Sequence, residues 1–518
     1  MSKNIILCSD GTGQKGNYGA DSNVYKLYQM LDLHNHDVEQ ISIYDNGVGT
    51  SDSDGDSKTN AIWRAVSSAF GFGFKENVCD LYRFLARNYE RGDQIYFFGF
   101  SRGAATVRAC VGFIYHCGLL DKNHPELQSD AAFEKRINEA IDCYHKWQSH
   151  TVEDEFKAKW AVHDDVYAPN GDLKIRFVGV WDTVSALGFP KDVPFVSKLF
   201  EDLDREQSGF YDFELNKNVE YAYHALSIDD ARRTFHPLIW DESRGNVVEQ
   251  VWFAGVHSNV GGGYPRHELS DVAFDWMLER AGYHGLKFVG DERQTIKAHA
   301  NAHGKMYDSR DGVGMYYRYQ PRDLAKLCDE YNDPPLKAKL HVSAIERMKH
   351  QTAKYAPSYI PSEFDIVGTE LDGDYKSVSI PKDDAWQKAW NQVDSWVKKR
   401  EALYHTFTVS SLILLLISVL CWWFPDKFPS LAPYLDSKQS PEVFFLWQWI
   451  YDFATYITPV MFENFLTLII KVYPFILIGL VAAFYMMNCT RKTILKNLQQ
   501  ALENFRSLLV DAAIKQSD

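Results

Sequence analysis

Residues 99–103 read Gly99, Phe100, Ser101, Arg102 and Gly103, a serine with glycine two positions to either side. That spacing suits a nucleophile held on a strained turn between a strand and a helix, where small residues at those two positions relieve crowding of the neighbouring backbone. An aromatic, β-like run ends at Phe97 and Phe98, and a helix-like stretch begins at Ala104. The turn exposes the hydroxyl at the edge of a sheet. The helix that follows aims its partly positive N-terminus, and the amide of Arg102, at the oxyanion that forms when the serine attacks a carbonyl.

A serine of this kind needs a base and an acid, expected in the order serine, acid, histidine. Asp182 directly follows the β-like run 175–181, and His257 directly follows the run 251–256. Each therefore stands where a parallel strand gives way to a loop, on the same edge of the sheet as Ser101. His257 is expected to take the proton from Ser101 and return it to the leaving group, while Asp182 fixes the imidazole tautomer and stabilises its charged form. Gly11 and Thr12, after the first β-like run, are candidates for the second half of the oxyanion hole; a plain Asx-turn at Asp10 is the other reading of the same residues. Gly261, Gly262, Gly263 and Tyr264 give a tight loop beyond His257 but are too short for a dinucleotide fingerprint, and no phosphate-loop motif is present.

The elements that must position these residues are legible as an alternation. Runs at 5–8, 41–44, 94–99, 173–181 and 250–256 are rich in Ile, Val, Phe, Tyr and Trp, and amphipathic stretches such as 76–89 and 104–117 lie between them. This predicts an α/β fold of the α/β-hydrolase kind, a mostly parallel sheet with flanking helices. Residues 1–290 are expected to form the catalytic domain and 291–400, polar and aromatic with Pro334, Pro335, Pro357 and Pro361, a cap or linker associated with it.

The 518-residue length calls for something beyond one core. Residues 407–424 carry no charge, and residues 466–487 carry one lysine, Lys471, and one proline, Pro474. Either run is long enough to cross a hydrocarbon layer of about 30 Å. The expectation is a C-terminal transmembrane helical hairpin, with 401–490 as the anchor and 491–518 as a cytoplasmic amphipathic helix. Lys398, Lys399 and Arg400 precede the first run and Arg491, Lys492 and Lys496 follow the second, which places both ends and the catalytic domain on the cytoplasmic side of the inner membrane. Residues 443–461, aromatic but carrying Asp452, read as an interfacial or re-entrant helix.

Composition excludes other classes. A net charge of -14 with no basic tail argues against a nucleic-acid partner. The eight cysteines lie without a close pair, which argues for reduced, packed thiols rather than zinc, and no motif calls for a cofactor or metal.

In combination, several segments resemble the α/β-hydrolase-domain family that includes the first class of type VI secretion lipase effectors. They are the runs from Cys8 to Thr12, from Tyr44 to Thr50, Gly99 to Ala104, Val180 to Thr183, Trp252 to His257 with Gly261 to Tyr264, and Asp308 to Arg310 with Tyr317 to Tyr319. The resemblance implies a Ser-Asp-His ester hydrolase with phospholipids as the substrate class. One departure is Asn259, where the family motif continues from the histidine to an aspartate. The expected function is a membrane-anchored phospholipase, acting as a defence or antibacterial effector that is held inactive until triggered or is neutralised by a partner; the expected partners are a second copy of the chain or an inhibitory or activating protein. The competing reading is a non-enzymatic membrane sensor or pore with a hydrolase-like regulatory domain, kept open by Lys471, Pro474 and residues 443–461.

Overall fold

The computed structural model of the chain describes residues 2–11, 20–47, 73–144, 151–162, 173–185, 211–242, 247–311, 314–315, 317–331, 336–371, 375–423 and 474–515. Among them are nine strands: β1 (Asn4–Ser9), β2 (Gln40–Asp45), β3 (Gln94–Phe100), β4 (Ile175–Trp181), β5 (Val219–Ser227), β6 (Val247–Phe253), β7 (Ala338–His341), β8 (Glu363–Val367) and β9 (Lys376–Ser379). They form one sheet in the order β2-β1-β3-β4-β5-β6-β7-β8-β9, parallel throughout except for the antiparallel pair β8 and β9. The helices are α1 (Asn23–Met30), α2 (Phe74–Asn88), α3 (Arg102–Cys117), α4 (Asp130–Tyr144), α5 (Thr151–Trp160), α6 (His257–Gly261), α7 (Ser270–Tyr283), α8 (Glu292–His299), α9 (Leu324–Tyr331), α10 (Val342–Lys349), α11 (Asp384–Trp423) and α12 (Pro474–Lys515).

Central strands of a parallel sheet are covered on both faces, so they are apolar at nearly every position. β1 is buried along its whole length for this reason. Successive side chains go to opposite faces. Ile5, Leu7, Ile95, Phe97, Val178 and Val180 join one core with Val78, Leu81 and Leu85 of α2 and Val107 and Ile114 of α3. Ile6, Cys8, Tyr96, Phe98, Phe177 and Trp181 join a second core with Val24 and Leu27 of α1 and Phe274 and Met277 of α7. A one-residue slip of any central strand would exchange the two sets, so the register that aligns the strand ends is firmly specified.

The α/β architecture follows the sequence reading, with additions. β5 was not anticipated, and β7, β8 and β9 come from the segment expected to be a cap or linker and extend the sheet. Among the described residues no disulfide is formed.

The chain divides into two units, Met1–Gln387 with Glu503–Asp518, and Lys388–Leu502. Within the second, one set of residues is buried, Ala389, Val393 and Val397 on α11 and Ile494, Leu498 and Ala501 on α12, spaced three or four apart as a helix face requires. Another set is exposed: Val409, Leu412, Ile413, Leu416 and Ile417 on α11, and Val481, Phe484, Tyr485 and Met486 on α12. Among the described residues no helix is long and apolar enough to cross a membrane, so the transmembrane hairpin expected from sequence is not carried by the structure. Residues 424–473, which include 443–461 and the start of the second apolar run, lie outside the described residues. The C-terminal amphipathic stretch is not a separate helix but the end of the 42-residue α12.

Candidate active site

Ser101 occupies the single position between β3 and α3, with φ 60° and ψ -124°. A left-handed φ on a serine is a strained conformation that persists only where the surroundings impose it. The flanking glycines show what imposes it. A Cβ on Gly99 would stand 2.6 Å from Ala104 Cα, and one on Gly103 would stand 2.2 Å from the carbonyl oxygen of Ser9. Neither contact is possible for a real side chain, so β1, β3 and α3 close on the serine only with glycine at both places. The Ser101 N–H donates to Trp181 O at 3.1 Å, which ties the turn to the end of β4.

Asp182 follows that tryptophan, also at positive φ, 40°. Its N–H donates to Ala225 O on β5 at 2.8 Å, and its carboxylate is fully buried. His257 opens α6, beyond the end of β6, and its Nδ1 lies 2.6 Å from Asp182 Oδ2. Nδ1 is therefore the protonated nitrogen, donating to the carboxylate, and Nε2 carries the lone pair. Nε2 is buried and makes no hydrogen bond among the described residues. The Phe100 ring, directly before Ser101, lies against the imidazole with centroids 4.6 Å apart, and Phe235 meets it edge-on at 5.0 Å. The acid and the histidine are thus joined directly, and the serine stands beside them through its neighbours Phe100 and Trp181.

The Asp182 carboxylate has further partners that sequence reasoning missed. The Ser227 amide donates to Oδ1 at 2.8 Å and its hydroxyl to Oδ2 at 3.2 Å. Arg322, with no exposure, forks onto both oxygens at 2.6 and 2.9 Å and also donates to the carbonyls of Ser227 and Phe235. Burial alone pushes the Asp182 carboxyl up, but the Arg322 guanidinium and the hydrogen bond from His257 outweigh it and hold the group well below the usual carboxylate range. Burial also lowers the His257 pKa, against the opposing pull of Asp182. The one signal for Arg322 in the sequence is its place three residues beyond Tyr319, the end of a segment that carries the resemblance. That segment packs on the loop after β5: Gln320 N–H donates to Ala231 O at 2.8 Å and Arg233 N–H to Arg318 O at 3.0 Å.

The candidate oxyanion groups divide. The Arg102 N–H belongs to the first turn of α3, whose amides have no partner within their own helix. Burial brings the Arg102 guanidinium down to about 10. Gly11 adjoins the nucleophile, since a Cβ there would stand 3.1 Å from Ser101 Cβ, but its N–H donates to Asp10 Oδ1 at 2.7 Å. The Gly11 N–H is therefore engaged by Asp10, and Thr12, whose N–H an Asx-turn at Asp10 would use, lies outside the described residues. Asp10 in turn accepts from Ser22 Oγ at 2.5 Å and Tyr44 Oη at 2.6 Å. Asn259, the departure from the family pattern, braces the histidine turn. Its Oδ1 accepts from Val256 N–H at 3.4 Å and Tyr307 N–H at 3.2 Å, and its amide donates to Lys305 O at 3.1 Å.

Three comparisons bear on this arrangement. The chain is similar to an uncharacterised protein of Saccharomyces cerevisiae, YEL023C, with 30% identity over 247 residues, 46% of this chain and 32% of that protein, so it spans about a third of the relative's length. Among solved structures it is similar to the Tle1 effector bound to the VgrG spike of the type VI secretion system, at 18% identity and a TM-score of 0.30, over 51% of this chain and 52% of that one. Residues 3–280, which hold Ser101, Asp182 and His257, match the family described as T6SS, phospholipase effector Tle1-like, catalytic domain, and the chain belongs to that family.

Proposed function

We propose that the chain is a serine carboxylic-ester hydrolase acting on phospholipids through Ser101, His257 and Asp182. The observation that carries this reading is the buried His257–Asp182 pair at the edge of the sheet where Ser101 sits at φ 60°. Ser101 Oγ attacks the ester carbonyl as His257 Nε2 takes its proton, and the resulting imidazolium is stabilised by Asp182. The oxyanion faces the N-terminus of α3, with the Arg102 N–H as its first donor. His257 then gives the proton to the departing alcohol, leaving an acyl-serine. Water, deprotonated by the same nitrogen, attacks that acyl group, and the fatty acid leaves as Ser101 regains its proton.

Arg322 fits this cycle as a positioning residue. It fixes both carboxylate oxygens, so that the lone pair left for Nδ1–H of His257 points one way only. Gly11 serves by giving room beside Ser101 rather than as an oxyanion donor.

Attachment to a lipid surface through α11 and α12 is the second part of the proposal. It is supported by the exposed apolar residues of the unit Lys388–Leu502, from Val409 to Ile417 and from Val481 to Met486. Exposed apolar groups clustered in this way mark an interaction surface. The test is mass spectrometry of a defined phospholipid mixture incubated with the full chain and with Ser101→Ala. Lysophospholipid and free fatty acid released only by the wild type support the reading; equal release by both overturns the role of Ser101, and release by neither overturns the reading in favour of a non-enzymatic action on membranes.

A further inference from the structure

We propose that His303, Glu346 and His350 form a binding site for a divalent transition metal ion of the zinc class. One ligand atom from each lies within 4.8 Å of the other two. Glu346 and His350 are four residues apart, one on α10 and one as its C-cap, so they share a face of that helix. His303 comes from the turn after α8, more than forty residues earlier in the chain, which is why no spacing motif announces the cluster.

Three features make this more than a chance meeting of surface side chains. The first is distance. Donor atoms about 2.1 Å from a tetrahedral ion stand about 3.4 Å apart, and His303 Nε2 stands 3.4 Å from Glu346 Oε1. The His350 ring meets that of His303 at 5.0 Å between centroids and 79° between planes, so a small side-chain rotation brings in the third donor.

The second feature is a hydrogen bond that orients the His303 ring. His303 Nδ1 lies 2.6 Å from Thr352 Oγ1. With Nδ1–H donating to that hydroxyl, Nε2 presents its lone pair toward Glu346 and His350. Metal-binding histidines are generally oriented by such a bond from the other ring nitrogen.

The third feature is rigidity. Arg347, almost wholly buried and next to Glu346 on α10, donates to Ala302 O at 2.6 Å and Gly304 O at 2.8 Å, pinning the backbone on both sides of His303 to the helix that carries the other two ligands. Thr352 itself sits in a turn where three non-glycine residues, Gln351, Ala353 and Lys354, hold left-handed φ values of 52°, 49° and 61°. Strained backbone of this sort collects at functional turns, and here it holds the hydroxyl that orients His303. An ion held by two imidazoles and one carboxylate keeps a coordination position open to water. It also closes the turn that braces the catalytic histidine, because Lys305 O and Tyr307 N–H are the partners of Asn259.

The experiment is isothermal titration of the chelator-treated full chain with Zn2+, repeated on His303→Ala, Glu346→Gln and Thr352→Val. Of the three substituted positions His303 and Glu346 are exposed and Thr352 is half-buried, so folding is checked by matching circular dichroism. The expected result is one saturable site whose affinity falls at least 10-fold in His303→Ala and Glu346→Gln. In Thr352→Val, where every ligand remains and only the orienting bond is lost, a smaller fall is expected. Absence of a saturable site in the wild type, or equal affinity in wild type and His303→Ala, overturns the proposal. So does an affinity unchanged in Glu346→Gln, since an imidazole pair alone would then account for the binding.

Discussion

Asp182, Arg322 and His257 lie almost without exposure at the end of a sheet, whereas Phe484, Tyr485 and Met486 on α12 are each more than 60% exposed. The chain buries charge in one unit and leaves apolar surface in water in the other, and each choice runs against the hydrophobic effect. Burying a charge is costly unless it is paired and hydrogen-bonded, and leaving a large apolar side chain in water forgoes about 1.5–3 kcal/mol of burial energy. The two regions meet these costs differently. At the sheet edge the compensation is internal: five hydrogen bonds converge on the Asp182 carboxylate. Along α11 and α12 the exposed set has no such internal compensation among the described residues, and the lipid attachment proposed above would supply it from outside. On the proposed function, the first region carries the chemistry and the second meets the lipid.

Substitutions that strike one region and spare the other sharpen this contrast. Ser101→Ala removes the nucleophile without touching the buried charges; kcat/KM for phospholipid hydrolysis should fall by about 10⁴- to 10⁶-fold, measured as fatty-acid release, with the melting temperature unchanged. Asp182→Asn keeps the shape but offers His257 the wrong partner, and the expected loss is about 10³- to 10⁴-fold in kcat. Arg322→Met takes away the cation and strands a buried carboxylate, which should lower stability by about 3–5 kcal/mol in urea titration. If that variant is as stable as the wild type, the internal compensation assigned to the sheet edge is wrong.

The other region should respond in the opposite way. Phe484→Glu or Leu416→Glu should leave hydrolysis of a short-chain, water-soluble ester unaltered, while binding to phospholipid vesicles weakens by roughly 10- to 100-fold in a co-sedimentation assay, the equivalent of one large side chain leaving lipid. Loss of soluble-ester activity in these variants would show that the apolar residues serve the fold instead.

The smallest effect concerns pH. His257 acts as a base only when neutral, and burial lowers its pKa against the opposing pull of Asp182. The imidazole therefore stays neutral to lower pH than an ordinary histidine, and the acid limb of kcat/KM should have its midpoint below 6.5, the unperturbed value. Asp182, held below the usual carboxylate range, stays ionised through that limb.

Much of the sheet edge was legible because strand periodicity and motif spacing act locally. The glycines around Ser101 and the apolar runs ending at Trp181 and Val256 each announce a strand end within a few residues, although β6 itself stops at Phe253, and parallel pairing then puts those ends on one edge. Arg322 was not legible, since it reaches Asp182 from 140 positions away and only the fold relates them. β7, β8 and β9 escaped for a related reason: they are four or five residues long, too short for alternation to stand out from a polar background. The apolar runs near the C-terminus were read by length and lack of charge alone. The structure describes part of them and shows where apolar residues are exposed, while no described helix meets the requirement for a crossing.

The account rests most heavily on Ser101 being activated by the buried His257–Asp182 pair. The direct measurement is reaction of the full chain with a fluorophosphonate, which forms a stable adduct only with an activated serine, followed by peptide mass spectrometry. The account predicts one adduct, on Ser101, formed at a rate that falls at least 10³-fold in His257→Ala. An adduct on another serine, or labelling of Ser101 that is indifferent to His257, would contradict it.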